Sequence, residues 1–320
     1  MAKSNAKQFP AWGVMHQKHM TDLANAGVPG RFSVSGRDGK PHEWDAYIAR
    51  EVKLMADFLW PRFNPASGKW EGAAAHNMEA LTVADMDLME ELSAQLELIA
   101  TADGDWLGKT HLELFGTEDS SARPTLATYL PNLSPSDRAA FEAAVEDWFV
   151  IVAHAYLRFK QHFQRPRPYQ AALLLNRPFE YLEAKTAVTP AMISGHAFQG
   201  LVVRGGAYMD TRHRFNGHPH RVARLQQYGV DIGDRRVFAG VHYPTDNLSS
   251  WFCGLRLCDH LFGPDGQEAK NYMWQAISTR STVYQSLVKA VAKNATSPLA
   301  EPLRRLQEEA KRPADVTAGI

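Results

Sequence analysis

Three polar residues at short spacing stand in the stretch RRVFAGVHYPTDNLSS (235–250): Arg236, His242 and Asp246. A histidine can act as a nucleophile when one ring nitrogen donates to a carboxylate and the other is unprotonated and aimed at the substrate. If His242 lies at the start of a helix, Asp246 falls within one turn and can accept that hydrogen bond. Arg236 would then neutralise an anionic oxygen of the substrate. The alternative is a His–Asp hydrogen bond at a helix start that has no catalytic role.

A second group of such residues stands in TPAMISGHAFQG (189–200), where Ser194, Gly195 and His196 come before an apolar helical pattern. The backbone N–H groups in the first turn of a helix are unpaired and can bind an anion. Glycine lets the backbone approach that anion closely, and the Ser194 hydroxyl can add a hydrogen bond. His196 would stand beside it as a proton donor to a leaving oxygen. The alternative is a serine N-cap followed by a surface histidine.

The stretch KQHFQRPRP (160–168) adds two cations, Lys160 near the end of a long helix and Arg167 in the proline-stiffened segment that follows. Two cations held by a rigid connection suit a polyanion. Alternatively, these basic residues only complement the helix dipole.

Together the three stretches supply three cations, backbone N–H donors, two histidines and one carboxylate. This set suits a tetrahedral oxyanion that passes through a trigonal-bipyramidal state, with neither a metal ion nor another cofactor required. The three patterns occur in order and at compact spacing, so their joint occurrence indicates far more than any one of them.

The arrangement resembles the type 2 phosphatidic acid phosphatase superfamily, which includes class A acid phosphatases and vanadium-dependent haloperoxidases. The signature of that superfamily is K-x6-R-P, then P-S-G-H, then S-R-x5-H-x3-D, and the resemblance covers about residues 150–260. It implies a helical bundle in which His242 becomes a phosphohistidine, Asp246 orients it and His196 is the general acid. The residues that would hold the phosphate are Lys160, Arg167, Ser194, Gly195 and Arg236.

Two positions depart from the signature. Ile193 replaces the proline before Ser-Gly-His, and Arg235 replaces the serine before Arg236. The first change would loosen the approach to the anion-binding turn. The second removes a small hydroxyl group and adds a cation, which puts the hydrogen bonds around Arg236 in question.

The resemblance favours a phosphomonoester hydrolase acting on a small-molecule phosphate ester. The first alternative is a haloperoxidase that binds vanadate as its cofactor through His242, and the second is an inactive phosphate-binding relative. Haloperoxidases of this superfamily usually have a longer insertion between the positions of His196 and Arg236, so by the resemblance the short span here favours the phosphatase. The presence of both histidines and Asp246 favours an active enzyme, because a passive binder needs no nucleophile.

Composition excludes some partners. Lys plus Arg and Asp plus Glu number 35 each, so no global basic field favours nucleic acid. The longest apolar run, WFVIVAHAYL (148–157), is too short to span a bilayer. With no signal peptide in the sequence as written, we expect a soluble cytoplasmic protein, or a periplasmic or secreted one if a leader has been removed. A homo-oligomer is compatible with the sequence. Cys253 and Cys258 do not share a helix face and are expected to be free thiols.

Apolar periodicity is helical along most of the chain, which predicts an all-α fold. We expect one structural domain in which residues 1–130 pack on a catalytic core at 131–265, followed by C-terminal helices and a tail at 266–320. The helices are predicted over 42–60 and 78–100, from Pro135 to about 164, from Ser194 or Gly195 onwards, from Pro244 to about 263, and over 301–312.

Overall fold

Helices form most of the structure, a computed structural model, and the prediction of an all-α fold is confirmed. The structure describes residues 2–3, 33–35, 41–43, 50–55, 61–64, 66–72, 74–101, 114–115, 126–152, 155–182, 184, 187 and 189–315.

The helices run the length of the described chain, from the N-terminal part to residue 311. In chain order they are α1 (Met78–Thr101), α2 (Leu126–Tyr129), α3 (Pro135–Val152), α4 (Ala155–Phe163), α5 (Pro168–Leu174), α6 (Gly195–Thr211), α7 (Pro219–Phe238), α8 (Pro244–Leu261), α9 (Gly266–Arg280), α10 (Thr282–Lys293) and α11 (Ala300–Lys311). Single 3-10 turns lie at Ala75–Asn77, Arg212–Arg214 and Gly263–Asp265.

The described strands are short and form three antiparallel pairs. These pairs are β1 (Ala2–Lys3) with β6 (Glu180–Tyr181), β2 (Ser33–Ser35) with β3 (Pro41–Glu43), and β4 (Arg62–Asn64) with β5 (Lys69–Glu71). The predicted helix at 42–60 is wrong at its start, because residues 42 and 43 belong to β3. Residues 50–55 are helical, and the rest of that prediction lies outside the described residues.

Local signals placed several helix boundaries correctly. The Ser134 hydroxyl accepts a hydrogen bond from the Asp137 N–H at 3.1 Å and donates to its carboxylate at 2.7 Å, which caps α3 just before Pro135, where the helix is predicted to begin. The long helix predicted after Pro135 corresponds to α3 and α4, with residues 153–154 outside the described ones. α4 ends at Phe163, three residues before Pro166, since residues that precede proline avoid the helical region.

Helix α7 is absent from the helices that the sequence predicts. Every residue from Tyr228 to Phe238 is buried, and these include the charged residues Asp231, Asp234, Arg235 and Arg236. Arg236 lies in the last turn of α7, six residues before His242.

Helix α6 lies at the centre of the fold, in contact with α3, α7, α8 and α9. Small residues allow these contacts to be close: a side chain at Gly200 would meet the backbone of α7, and one at Gly206 would meet the ring of Trp148. One apolar cluster extends from Met55 to Leu306. The thiols of Cys253 and Cys258 in α8 are buried and free, as predicted.

Residues from both ends of the chain pack on this centre. Helix α1 contacts α7, α8 and α10, while α11 lies against α8. The buried ammonium of Lys270 donates to Glu309 at 2.7 Å and ties α9 to α11. Within the described ranges, none of the helices combines the length and the hydropathy that crossing a bilayer would need.

The close approach of α6 and α7 predicts a steric effect at Gly200. A Cβ at this position would lie under 3.0 Å from the Gly229 carbonyl oxygen, which belongs to the backbone and cannot rotate away. Gly200→Ala should therefore lower the free energy of unfolding by about 1–3 kcal/mol, although alanine favours helix by about 1 kcal/mol. Urea denaturation measures this change.

Gly254→Ala in α8 is the matched control. Its Cβ would meet only the ends of the Val202 and Leu201 side chains, at 3.1 and 3.2 Å, and these can shift. Equal losses of stability in the two variants would contradict the close α6–α7 packing.

Candidate anion-binding active site

The ends of several helices bring the sequence-predicted residues together. Lys160 lies in α4, Arg167 is the N-cap of α5, and Ser194 is the N-cap of α6. Arg236 lies in the last turn of α7, and His242 comes two residues before α8. All five residues are buried, so the structure gathers a concentrated set of polar groups inside the helical bundle.

His242 is held by the first turn of α8. Its Nδ1 lies 3.1 Å from Oδ2 of Asp246, and the same oxygen accepts a hydrogen bond from the Tyr243 N–H at 2.9 Å. Because Pro244 begins the helix, Asp246 is its third residue, where a carboxylate can accept from a backbone N–H before the first turn. The local structure of a helix N-terminus thus fixes the carboxylate that orients the imidazole.

The other ring nitrogen of His242 faces Arg167. Its Nε2 lies 2.9 Å from Nη1 of Arg167, which also donates to the Val241 carbonyl at 2.5 Å. Nε of Arg167 donates to the Thr189 carbonyl at 2.7 Å. Since a guanidinium has only donors, Nε2 of His242 is the acceptor and carries no proton, so the proton lies on Nδ1, which faces Asp246.

His196 and Arg236 form a similar pair on the facing helices. Nη2 of Arg236 lies 2.7 Å from Nε2 of His196, which must again be an unprotonated acceptor. The guanidinium of Arg236 lies over the ring of Phe115, 4.6 Å from its centroid. His196 is partly exposed, whereas Arg236 is buried, so the imidazole lies on the more open side of the site.

The ammonium of Lys160 donates to two backbone carbonyl groups. These are the carbonyls of Pro190 and Ala191, the second at 3.1 Å, in the segment that leads to α6. Burial, and then the charge of Arg167, hold the pKa of Lys160 well below its ordinary value, while Asp246 acts in the opposite direction.

The N-terminus of α6 has the form expected of an anion-binding turn. The Ser194 hydroxyl accepts a hydrogen bond from the Ala197 N–H at 3.2 Å, and it keeps its own proton to donate. A Cβ on Gly195 would lie 2.9 Å from the ring of Tyr156, so only glycine fits there. The Ser194 carbonyl accepts from Ser250 of α8 at 2.9 Å, which ties this turn to the helix that carries Asp246.

The two departures from the signature have different surroundings. Ile193 is fully buried in the apolar cluster. Arg235 is also buried, and its Nη1 lies 2.9 Å from the Tyr129 hydroxyl and 4.0 Å from Oδ2 of Asp231. Consecutive side chains on a helix point about 100° apart. The contacts of Arg235 thus differ from those of Arg236, which faces His196.

Electrostatics keep both imidazoles neutral in the absence of an anion. Burial, and then the charge of Arg236, lower the pKa of His196 well below its ordinary value. Burial, and then Arg167, do the same for the pKa of His242. An anion placed among these cations would oppose both effects.

Sequence reasoning missed Arg165 and Asp85. Arg165 donates to Oδ1 of Asp246 at 2.9 Å and to Oδ2 of Asp85 at 2.9 Å. Arg165 lies within QRPRP, between Lys160 and Arg167, where it was taken as part of the spacing. Asp85 lies between Leu81 and Leu88 on the apolar stripe of α1 and is completely buried. An acid at a position that periodicity assigns to the core was the available signal.

Comparison with protein-family models finds no match for this sequence, and comparison with curated proteins finds none either. The superfamily resemblance therefore rests on the three motifs and their spacing.

The lowered pKa values predict the protonation state of His196 and His242. An unperturbed histidine is half protonated at pH 6.5. A group whose pKa lies well below that value is deprotonated there, so both imidazoles should be neutral at pH 6.5 in the anion-free protein, with the His242 proton on Nδ1. Long-range 1H–15N NMR measures this state, with signals assigned from His196→Gln and His242→Gln. A positively charged imidazole, protonated at both nitrogens, at His196 or His242 at pH 6.5 would refute this picture of the site.

Proposed function

We propose that this protein is a phosphomonoester hydrolase of the type 2 phosphatidic acid phosphatase kind, acting through a phosphohistidine. One observation carries the proposal: two neutral imidazoles each turn Nε2 towards a guanidinium, and one of them, His242, is backed at Nδ1 by the carboxylate of Asp246. A nucleophile needs this backing, and a second imidazole supplies the proton donor that a leaving alcohol needs.

The surrounding donors suit a phosphoryl group. Lys160, Arg167 and Arg236 bring three positive charges, and the first turn of α6 adds backbone N–H groups at Gly195 and His196. A phosphate that accepts from Arg167 and Arg236 replaces their contacts with the two imidazoles. The anion thereby frees Nε2 of His242 and of His196 at the moment when both are needed.

In the first step, Nε2 of His242 attacks phosphorus and forms the P–N bond as the bond to the leaving oxygen breaks. His196 gives its proton to that oxygen, and the product alcohol departs. The charge on the equatorial oxygens is balanced by Lys160, Arg167 and Arg236. Asp246 stabilises the positive charge that develops on the ring of His242.

In the second step, a water molecule attacks the phosphohistidine and His196 takes a proton from it. The P–N bond breaks, inorganic phosphate leaves, and His242 is neutral again. His196 needs a proton before the first step. Burial, and then repulsion from Arg236, lower the pKa of the free ring, and the negative charge of the bound phosphate opposes that repulsion and so favours the proton.

The function is tested with a small aryl phosphate as substrate. We expect hydrolysis that a chelator does not affect and that vanadate blocks, because vanadate is itself a tetrahedral oxyanion that fits the same donors. Oxidation of bromide by the vanadate-loaded protein and peroxide, without phosphatase activity, would assign the site to a haloperoxidase. Binding of phosphate without either activity would leave a binding protein.

His242→Ala should lower kcat for the aryl phosphate by more than about 10⁴-fold, because the substitution removes the nucleophile. Acid-quench trapping of 32P-labelled phosphohistidine should succeed with the unchanged protein and fail with the variant. His220→Ala, an exposed histidine of α7, is the control and should keep full activity. Turnover by His242→Ala within about tenfold of normal would exclude this residue as the nucleophile.

The role of His196 predicts dependence on the leaving group. His196→Ala should slow hydrolysis of an alkyl phosphate by about 10²–10⁴-fold, because an alkoxide leaves poorly without a proton. A nitrophenyl phosphate needs little protonation and should lose less than about tenfold. Steady-state kinetics on both substrates measure the difference, and equal losses would show that His196 is not the general acid.

A further inference from the structure

We infer that Arg165, held in place by Asp85, is a positioning residue that keeps His242 in its reactive tautomer by acting through Asp246. The inference rests on the proposed function for its catalytic consequence. Arg165 occupies one of the unspecified positions of the first motif, and Asp85 comes from α1, outside the segment that contains the three motifs.

The carboxylate of Asp246 divides its two oxygens between different partners. Oδ1 accepts from Nη1 of Arg165 at 2.9 Å. Oδ2 faces Nδ1 of His242 at 3.1 Å and accepts from the Tyr243 N–H at 2.9 Å. Rotation of the carboxylate would break its contacts on both sides, so Arg165 fixes the plane in which Oδ2 meets the imidazole.

Arg165 is in turn fixed from several directions. Its Nη2 donates to Oδ2 of Asp85 at 2.9 Å, its Nη1 also donates to the Thr245 hydroxyl at 2.9 Å, and its guanidinium lies 3.8 Å from the centroid of the Tyr243 ring. Asp85 accepts from the Thr245 N–H at 3.1 Å and from the Thr245 hydroxyl. The pair therefore links α1 to the first turn of α8, where Asp246 lies.

The charges of this group have a direct effect on the tautomer of His242. A buried carboxylate is costly unless a cation or several donors accompany it. Both oxygens of Asp246 face donors, Nη1 of Arg165 at Oδ1 and the Tyr243 N–H at Oδ2, so Asp246 meets the imidazole as an acceptor. The imidazole proton therefore stays on Nδ1, and Nε2 keeps its lone pair. Burial raises the pKa of Asp85 to about 6, and Arg165 and Thr245 act against this rise.

A merely structural role for the pair predicts something different. In that case, loss of Arg165 or Asp85 would loosen the contact between α1 and α8 and lower stability, with activity falling only as the folded fraction falls. A positioning role predicts loss of kcat in protein that is fully folded, with little change in KM, together with a changed tautomer of His242.

The experiment compares three variants of the full chain at a temperature where each is folded by circular dichroism. Asp85→Asn keeps the volume of the side chain and removes its charge, Arg165→Met removes the guanidinium, and Arg165→Lys keeps the charge but cannot donate to two partners in one plane. Glu309→Gln is the matched control, because it breaks a buried ion pair with Lys270 away from the site.

We expect kcat for the aryl phosphate to fall about 10–100-fold in Arg165→Met and less in Arg165→Lys, with KM changed less than about threefold. The kcat of Asp85→Asn should lie between that of the unchanged protein and that of Arg165→Met, while Glu309→Gln should keep normal kcat. Arg167 can only donate to Nε2, so Nε2 gains a proton only where the loosened ring turns away from Arg167. Long-range 1H–15N NMR should show such a population of His242, protonated at Nε2, in Arg165→Met and Asp85→Asn, but not in Glu309→Gln.

The NMR measurement separates this inference from the proposed function, because it needs no activity. If the unchanged protein has no phosphatase activity but the tautomer shifts as expected, the proposed function fails and the positioning role stands. If His242 keeps its Nδ1–H tautomer in Asp85→Asn, the positioning role is overturned. The same conclusion follows if folded Arg165→Met keeps normal kcat, and should Arg165→Met not fold, Asp85→Asn decides the question.

Discussion

A single carboxylate, that of Asp246, joins the reactive part of the site to the framework. One of its oxygens faces the imidazole of His242 and the other accepts from Arg165. Its place as the third residue of α8 also lets it accept the N–H of Tyr243, a contact that any helix N-terminus favours. The orientation of the proposed nucleophile therefore depends on where α8 begins, and Pro244 sets that point.

Burial of positive charge is the second constraint on this region. Lys160, Arg167 and Arg236 are nearly inaccessible to water, and desolvated cations need polar partners. The backbone supplies several of these, because Thr189, Pro190, Ala191 and Val241 turn their carbonyl oxygens towards Lys160 or Arg167. The segment that leads into α6 thus both positions the cations and ends in the N–H groups of the turn where we propose that an anion binds.

The neutrality of the two histidines follows from the same accumulation of charge. Each imidazole accepts from a guanidinium at Nε2, and burial together with the nearby cations disfavours a further positive charge. An arriving dianion would replace the imidazoles as the acceptor of the guanidinium hydrogen bonds. Its negative charge would also favour protonation of His196. The site would then acquire its proton donor only when a substrate is bound.

Much of this arrangement could be predicted from the sequence, because most of its signals are local. Three of these signals act within a few residues: the Ser134 cap, the prolines around Arg167 and the Ser-Gly-His turn. The structure places the helix ends accordingly. The motif spacing likewise identified the residues that the helix ends bring together.

The parts that could not be predicted depend on contacts between distant segments. The second half of α7 is buried all round and includes charged side chains, which removes the apolar periodicity by which a helix is identified. Asp85 and Arg165 are 80 residues apart, and neither has a local pattern that indicates the other. Arg235 could not be assigned from its neighbour Arg236, because its contacts with Tyr129 and Asp231 belong to the tertiary structure.

We propose that an oxyanion binds between Lys160, Arg167, Arg236 and the first turn of α6, with His242 in line behind it. A crystal structure of the protein with bound vanadate is the decisive measurement. We expect a trigonal-bipyramidal vanadate whose axial position is taken by Nε2 of His242, with His196 at the opposite axial oxygen. Vanadate bound elsewhere, or bound here with His242 beyond bonding or hydrogen-bonding reach, would contradict it.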